Sequence, residues 1–587
     1  MSERRLLRPA LLAGLALALG LWGLRWGLPS RERIQRVLPP GADTPEFRAR
    51  LQSSWASLHD SFGSDIMVST ESWAAPFRGV QNIPPGWTEP PPLLLNSARS
   101  FYLRSAHEDE QSFLIILSRM RPWRLELNPH LFTYGGAYVY SLGAALAAGA
   151  AIGLASLHTS MAPYLANPGQ MASLYFVGRL YTVACFLGCA LMLLRIGRRR
   201  LGSDAGFYAA LLFLFSPGVV VQAHVMKNHM LWSLFLLWTL DLSLDLLESG
   251  GVAAYAAAGA VSGLAVGAFL AAWPACLLVG FVGALRIKAR PASRVAEAKG
   301  LFIAGAASAA AFFLTNPYWL LDWTSARAEM KVLSGWSAFV PSHPFLFLSG
   351  ALASALTWPV LALVLAGSAW ALIRGRREPA LWVCLFAFLA GLAMMSTIGD
   401  VVDVRQVRYF LGFLAVGLLL AGRAAADLLA SKSRLRPAAA AALALTLAYT
   451  LLSGATYAHN FAADSGDSST HARAGAWIEA NVPPGSAIGL LRLPQPSNAP
   501  YFRYDKYELR LIESAHLFAT LPPASLPPYA VVTSPDYDDR PGMEPNLSRY
   551  ELAAEFPRAK LVPFIAIEPT STTADPQIDV YRLKRPR

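Results

Sequence analysis

The chain is short of charge. Asp, Glu, Lys and Arg make up only 15% of its 587 residues, while 54% are hydrophobic. A soluble domain usually carries about a quarter charged residues, because a water-facing surface needs them. The shortage excludes a soluble globular protein, a disordered chain and a nucleic-acid-binding module; no nucleic-acid partner is expected. Cysteine is scarce too: Cys185, Cys189, Cys276 and Cys384 all fall in apolar stretches. No disulfide framework is implied for the polar regions. A Walker loop, a GxGxxG signature, a CxxC pair and an internal repeat are all missing, which argues against an ATP-driven pump.

Long apolar runs are what the chain has. A bilayer core about 30 Å thick needs roughly 20 apolar residues of helix. Runs of that kind lie near 9–27, 172–194, 205–223, 229–247, 251–268, 270–286, 299–317, 353–374, 380–397, 407–423 and 436–455. The first follows Arg4, Arg5 and Arg8, as in a secretory signal, but it is long and ends at Gly23–Pro29 without a small-x-small cleavage site. It therefore reads as an uncleaved anchor.

The net charge of +12, from 50 Lys+Arg against 38 Asp+Glu, is either an attraction to an anionic partner or a device of orientation. The segment 137–157 decides between them. Counted as a full span, it puts Arg195, Arg198, Arg199 and Arg200 outside, against the positive-inside rule. Read as a re-entrant or juxtamembrane segment, it leaves that cluster inside, with Arg286, Lys288, Arg290 and Arg294, then Arg374, Arg376 and Arg377, then Arg423, Lys432, Arg434 and Arg436. Much of the surplus then serves orientation, with the N-terminus cytoplasmic. The expected fold is a polytopic α-helical membrane protein of about eleven spans. Its parts are an anchor (1–28), a first outer loop (29–136), a transmembrane core (137–455) and an outer tail (456–587), with another outer loop at 318–352. The tail opens with capping residues and an amphipathic helix from Asp467. Short β-like runs follow at Ala487–Leu491, Tyr529–Thr533, Leu561–Ile567 and Ile578–Leu583, so a small α/β domain is expected there.

On an otherwise apolar protein, charged groups at the membrane surface are the place to look for chemistry. The densest cluster is His107-Glu108-Asp109-Glu110, followed by an amphipathic stretch (Phe113, Ile116, Leu117, Met120) and then Asn128, Pro129, His130 and Tyr134. Crowded, partly desolvated carboxylates favour a protonated form, and one of them can take a proton from a hydroxyl. The alternative is a solvated acidic patch. Asp241 and Asp245, four apart near the inner end of their span, read as snorkelling or capping groups.

The order of motifs resembles a known pattern. After the His-x-Asp-Glu loop and the Asn-Pro segment come Gly178-Arg179-Leu180 and the Gly197–Leu201 arginine run. Ser216-Pro217 with His224, Asn316-Pro317-Tyr318 through Asp322, and Arg408-Tyr409 continue the series, and Trp477 with Asn481 and Gly485 opens the tail. This is similar to the GT-C membrane glycosyltransferases of the family-39 type, which include protein O-mannosyltransferases and the lipid A aminoarabinose transferase, and it covers most of 100–587. The resemblance implies a GT-C architecture in a bacterial inner membrane, with the tail domain periplasmic. It implies transfer of a sugar from a polyprenyl-phosphate donor to a lipid, glycan or protein hydroxyl, with inversion. It makes Asp109 the catalytic carboxylate, with Glu110 beside it. His107, Asn128, His130, Tyr134, His224, His229, Arg408 and Tyr409 become substrate-binding candidates. Arg408 suits a departing phosphate because its planar fork matches phosphate oxygens; the alternative is an interfacial anchor. Arg179 is either a phosphate contact or a packing residue.

Two features depart from the family. Where relatives carry an aspartate five residues past the histidine, this chain has His229, in the trio Lys227-Asn228-His229, which is either functional or a wet outer turn. The insert 30–106, with Trp55, Trp73 and Trp87, stands where relatives have almost nothing; its tryptophans either stack on sugars or rest in the interface belt. Some members use a divalent metal, but no ligand pair here has a diagnostic spacing. A lipid or sugar transporter and an inactive relative that binds lipid-linked glycan are the competing readings.

Overall fold

The computed structural model describes residues 3–62, 77–336, 339–375, 377–399, 401–432, 434, 436–534, 540–568 and 572–584. Trp73 and Arg376 lie outside them, as do the side chains of Arg4 and Arg5.

The apolar runs become helices: Glu3–Leu21, Pro168–Ile196, Ser203–Phe215, Pro217–Ala223, His229–Ser249, Val252–Ala268, Pro274–Ala289, Arg294–Thr315, Trp358–Arg374, Pro379–Met394, Leu411–Ala430 and Arg436–Ala463. Among the described residues, seven helical stretches are long and apolar enough to cross a membrane. The run at 205–223 is broken: its halves meet at Ser216-Pro217 and bend by 69°. Pro217 has no N–H for the helical ladder, and it pushes Ser216 into an extended conformation. The segment expected to re-enter or lie flat is a helix, Gly136–Ala151, of 16 residues. At 1.5 Å per residue it spans roughly 24 Å, short of a bilayer core.

Residues 1–22, 120–144 and 179–458 form one compact unit, and 23–119, 145–178 and 459–587 another. In the first, Gly259 and Gly263 lie against the Arg294–Thr315 helix so closely that a Cβ on either would sit 2.1 Å from the carbonyl oxygen of Ala304 or Ser308. Small residues four apart let two helices touch backbone to backbone. This seam fixes the register that brings Gly267 to Asn316, at one end of both helices. At the other end of the bundle the arginines are paired. Asp241, buried, takes Arg195 at 2.8 Å and Arg199 at 3.1 Å, Asp245 takes Arg199 and Arg200, and Arg286 meets Glu297 at 2.8 Å. The two aspartates expected to snorkel are ion-pair partners.

The second unit is built on a six-stranded sheet in the order β1-β3-β2-β4-β6-β5. The strands are β1 (Val80–Ile83), β2 (Ala487–Leu490), β3 (Glu508–Ile512), β4 (Tyr529–Thr533), β5 (Tyr550–Phe556) and β6 (Ile578–Leu583). β2 runs parallel to β3 and β4, while β1, β5 and β6 pair antiparallel. Leu491, Ile512, Phe518, Val532, Met543 and Leu547 belong to its core. Leu561–Ile567, expected as a strand, is turn and irregular chain; β3 and β5 are strands that the alternation left unread. β1 comes from the insert and forms the sheet's edge. In the same insert the Trp55 ring lies under the Arg99 guanidinium at 5.2 Å, and Tyr102 donates to Asp43 at 2.7 Å.

Candidate functional site

The acidic loop lies in the second unit, between the helices Leu95–Leu103 and Glu110–Arg119. Its backbone is held from beneath. Buried Arg33 donates to the carbonyls of Phe101 and Arg104, both at 2.7 Å, and to Gly27 at 3.2 Å. The Ala106 N–H donates to the same Gly27 carbonyl at 2.8 Å. Arg104, also buried, donates to Gln111 at 2.5 Å and to Gln495 at 2.8 Å. Burial pushes its pKa down to about 10, while the charges of Glu108 and Asp109 hold it up.

The carboxylates divide in this frame. Glu110 is fully buried and accepts the Ser105 hydroxyl at 2.5 Å. Glu108 is exposed and accepts the Ser497 hydroxyl at 3.2 Å. Asp109 is half-buried at the turn, its N–H donating to His107 Nδ1 at 3.2 Å and its carbonyl accepting the Ser112 N–H at 3.2 Å. The His107 ring meets Trp26 edge-on at 6.4 Å. Glu110, expected beside Asp109 in catalysis, is a packing carboxylate that opens the following helix.

The other candidates lie in the first unit. Asn128 donates to Asp322 at 2.8 Å and accepts the His130 N–H at 3.0 Å. His130 adopts a left-handed backbone, φ 49°, with Nδ1 4.0 Å from Asp322. Burial alone would raise the Asp322 pKa, but hydrogen bonds from Asn128 and Ser325 and the His130 ring hold it below the usual carboxylate range. Glu329, buried, accepts the N–H groups of Phe132 and Thr133, both at 2.7 Å, and the Thr133 hydroxyl. Asn316 then anchors the next turn: its Oδ1 accepts the Gly136 N–H at 2.6 Å and its amide donates to the Gly267 carbonyl at 3.2 Å.

Tyr134, so placed, bridges Phe269 along the backbone and lies 5.6 Å from the Lys227 ammonium. Phe269 stacks on Tyr409 at 5.5 Å and meets His229 edge-on at 5.4 Å. Tyr409 lies 5.0 Å from the Arg408 guanidinium. Two cations thus flank a run of aromatic rings. Lys227, Asn228 and His229 are buried, with exposures of 3%, 0% and 2%, so the trio is no wet turn. Phe269 and Glu329 went unread; Lys227 was read only within the trio 227–229, and Asp322 only as the end of the Asn316-Pro317-Tyr318 motif.

Two expectations change. His224 is fully buried, with Nδ1 2.7 Å from the Val220 carbonyl and Nε2 3.0 Å from that of Trp22. Both ring nitrogens are committed to backbone, so it packs the broken helix rather than facing a substrate. Arg179 is fully buried as well, which fits packing. Among the described residues no group of three or more His, Cys, Asp or Glu is arranged to hold a metal ion. The described residues do not fit a metal centre.

No family model matches the chain, and no curated protein matches it. Solved structures give low-identity likenesses. One is the archaeal oligosaccharyltransferase AglB from Archaeoglobus fulgidus, in complex with an inhibitory peptide and a dolichol-phosphate, at 13% identity and TM-score 0.42 over 78% of this chain and 69% of that one. A second is ArnT from Cupriavidus metallidurans bound to undecaprenyl phosphate, at 13% and 0.36 over 76% and 88%. A third is the arabinofuranosyltransferase AftD from Mycobacteria, at 15% and 0.35 over 81% of this chain and 39% of that one.

Proposed function

We propose that this chain is a GT-C glycosyltransferase of the family-39 type. It moves a sugar from a polyprenyl-phosphate carrier to a hydroxyl on a lipid, glycan or protein, at the outer face of a bacterial inner membrane. The observation that carries the reading is the division of labour in the acidic loop. Glu110 is buried under Ser105 while Asp109 stands half-exposed at the turn, an arrangement suited to holding one carboxylate as a base.

In this reading Asp109 takes the proton of the acceptor hydroxyl as its oxygen attacks the anomeric carbon. The bond from that carbon to the phosphate oxygen breaks, its electron pair leaves on the lipid phosphate, and the anomeric centre inverts. The leaving group is good, so the protein's work is to orient the acceptor, remove one proton and meet the departing charge. Arg408 and Lys227 supply positive charge for the last task, and the rings of Tyr134, Phe269 and Tyr409 offer flat apolar surface of the kind on which a sugar or an isoprenoid rests. His107, Asn128, His130 and His229 are the further substrate-binding candidates of this reading.

The test is transfer by the purified chain in liposomes, given radiolabelled polyprenyl-phosphate sugars and a membrane extract as acceptor. Label should pass from at least one carrier into acceptor. If every carrier keeps its label while the protein stays folded, the reading fails.

A further inference from the structure

The second unit contains a cavity of about 530 Å³ lined by Arg25, Arg33, Arg36, Phe176, Asp464 and Tyr501 among others. That volume is typical of small-ligand sites, about 300–1,000 Å³. None of the substrate-binding candidates lines it. Three guanidiniums and two carboxylates line it. Arg36 is paired with Glu32 at 2.8 Å and with Asp467. Arg33 spends its terminal nitrogens on three neutral carbonyls, which do not cancel its charge, and its buried Nε makes no hydrogen bond among the described residues. Arg25, exposed, lies 5.0 Å from the Phe176 ring and makes no ion pair with any described residue. Glu32 and Asp464 are carboxylates of the lining, and Asp467 pairs with Arg36 from beside it; carboxylates and guanidiniums match in number, and Arg25 is the guanidinium that forms no ion pair with them.

The rim is apolar. Leu154 borders the cavity, and Ile152, Leu154 and Leu157 are exposed at 73%, 47% and 52%. Small residues of the Pro168–Ile196 helix, Gly169, Ala172 and Ser173, form a wall. In the proposed topology Arg25 sits at the outer end of the first span, where Lys and Arg are depleted. A guanidinium kept there without a carboxylate partner is open to another anion.

We infer that this cavity binds the phosphate headgroup of a lipid, with Arg25 and Arg33 on the phosphate and the apolar body along Ile152, Leu154 and Leu157. It is a phosphate site additional to the one the proposed reaction requires. It also touches the acidic loop: Arg33 and the Ala106 N–H share the Gly27 carbonyl, and Gly27 lines the cavity. A headgroup drawn onto Arg33 therefore bears on the loop that carries Asp109.

Binding to the detergent-purified full chain tests this. The probes are dioctanoyl phosphatidylglycerol for a bilayer lipid, farnesyl phosphate for a carrier lipid, inorganic phosphate for a free anion and dioctanoylglycerol as the uncharged control. The wild-type chain should bind at least one lipid phosphate more tightly than the control. Arg25→Ala should weaken that binding about tenfold, the scale of one charge-assisted contact, and Arg25→Lys should weaken it less. Whichever lipid responds names the source. Equal binding of both lipid phosphates by wild type and Arg25→Ala overturns the proposal, and so does an effect confined to inorganic phosphate. Arg33 is left intact because it holds the loop. The readout is binding without turnover, so a failure of sugar transfer does not decide it.

Discussion

The Ser105 hydroxyl donates to the Glu110 carboxylate at 2.5 Å, and Glu110 is fully buried. Removing one hydrogen-bond donor from a buried carboxylate costs about 1–3 kcal/mol. Ser105→Ala should therefore lower the thermal unfolding midpoint of the detergent-purified chain, while Asp109→Asn should leave it near wild type. Equal destabilisation by the two would show that the neighbours do not divide their work.

Gly23 predicts a second loss of stability. Its φ is +84°, and a Cβ there would lie 2.4 Å from the Ala462 nitrogen. Gly23→Ala combines a left-handed backbone with a backbone clash, and should cost about 1–3 kcal/mol or more. Gly41 is the control: its φ is +78° but a Cβ would meet nothing within 4 Å. The Ala variant there should cost less, and unfolding midpoints of the pair compare them.

Asn316 ties Gly136 to Gly267. Asn316→Ala orphans a buried N–H and a buried carbonyl, worth about 1–3 kcal/mol. Because the same staple places Tyr134, transfer should fall by more than the folded fraction does. A variant with full activity per folded molecule would separate Asn316 from the site.

His471 sets a pH dependence in the second unit. Burial pushes its pKa down to about 4 against the Ala499 carbonyl, which raises it, and the Arg33 charge adds to the fall. The folded chain holds the ring neutral while the unfolded chain takes a proton near pH 6.5. This group's contribution is therefore complete above about pH 6.5 and is lost as pH falls toward about 4, on the order of 3 kcal/mol. His471→Phe should flatten the unfolding midpoint across that window relative to wild type. An unchanged slope would place the pH sensitivity elsewhere.

The helices were legible because a membrane span is written locally, in about twenty consecutive residues. Their ends were less so: the anchor run read as 9–27 ends its helix at Leu21, since Gly23 bends the chain against Phe461 and Ala462, more than 400 positions away. The sheet was half legible. β2, β4 and β6 showed as short apolar runs, but β1 is strand only because β3 lies beside it. In the site, the loop at 107–110 announced itself by charge density. Its division into a buried and a half-exposed carboxylate did not, because burial depends on Arg33 and Arg104 beneath. Glu329 lies 197 positions from Phe132, and no local pattern links them. Lys227, Asn228 and His229 left a wet turn and a functional role equally open because they are polar; Tyr134 meets Lys227, and Phe269 and Tyr409 meet His229, only in three dimensions.

The central claim is that Asp109 removes the acceptor proton. Transfer of radiolabel from a polyprenyl-phosphate sugar, measured side by side for wild type and Asp109→Asn at matched unfolding midpoints, tests it directly. The account predicts a fall of roughly 10²–10⁴-fold, the scale of general-base catalysis. Transfer at the wild-type rate by the folded variant would contradict it.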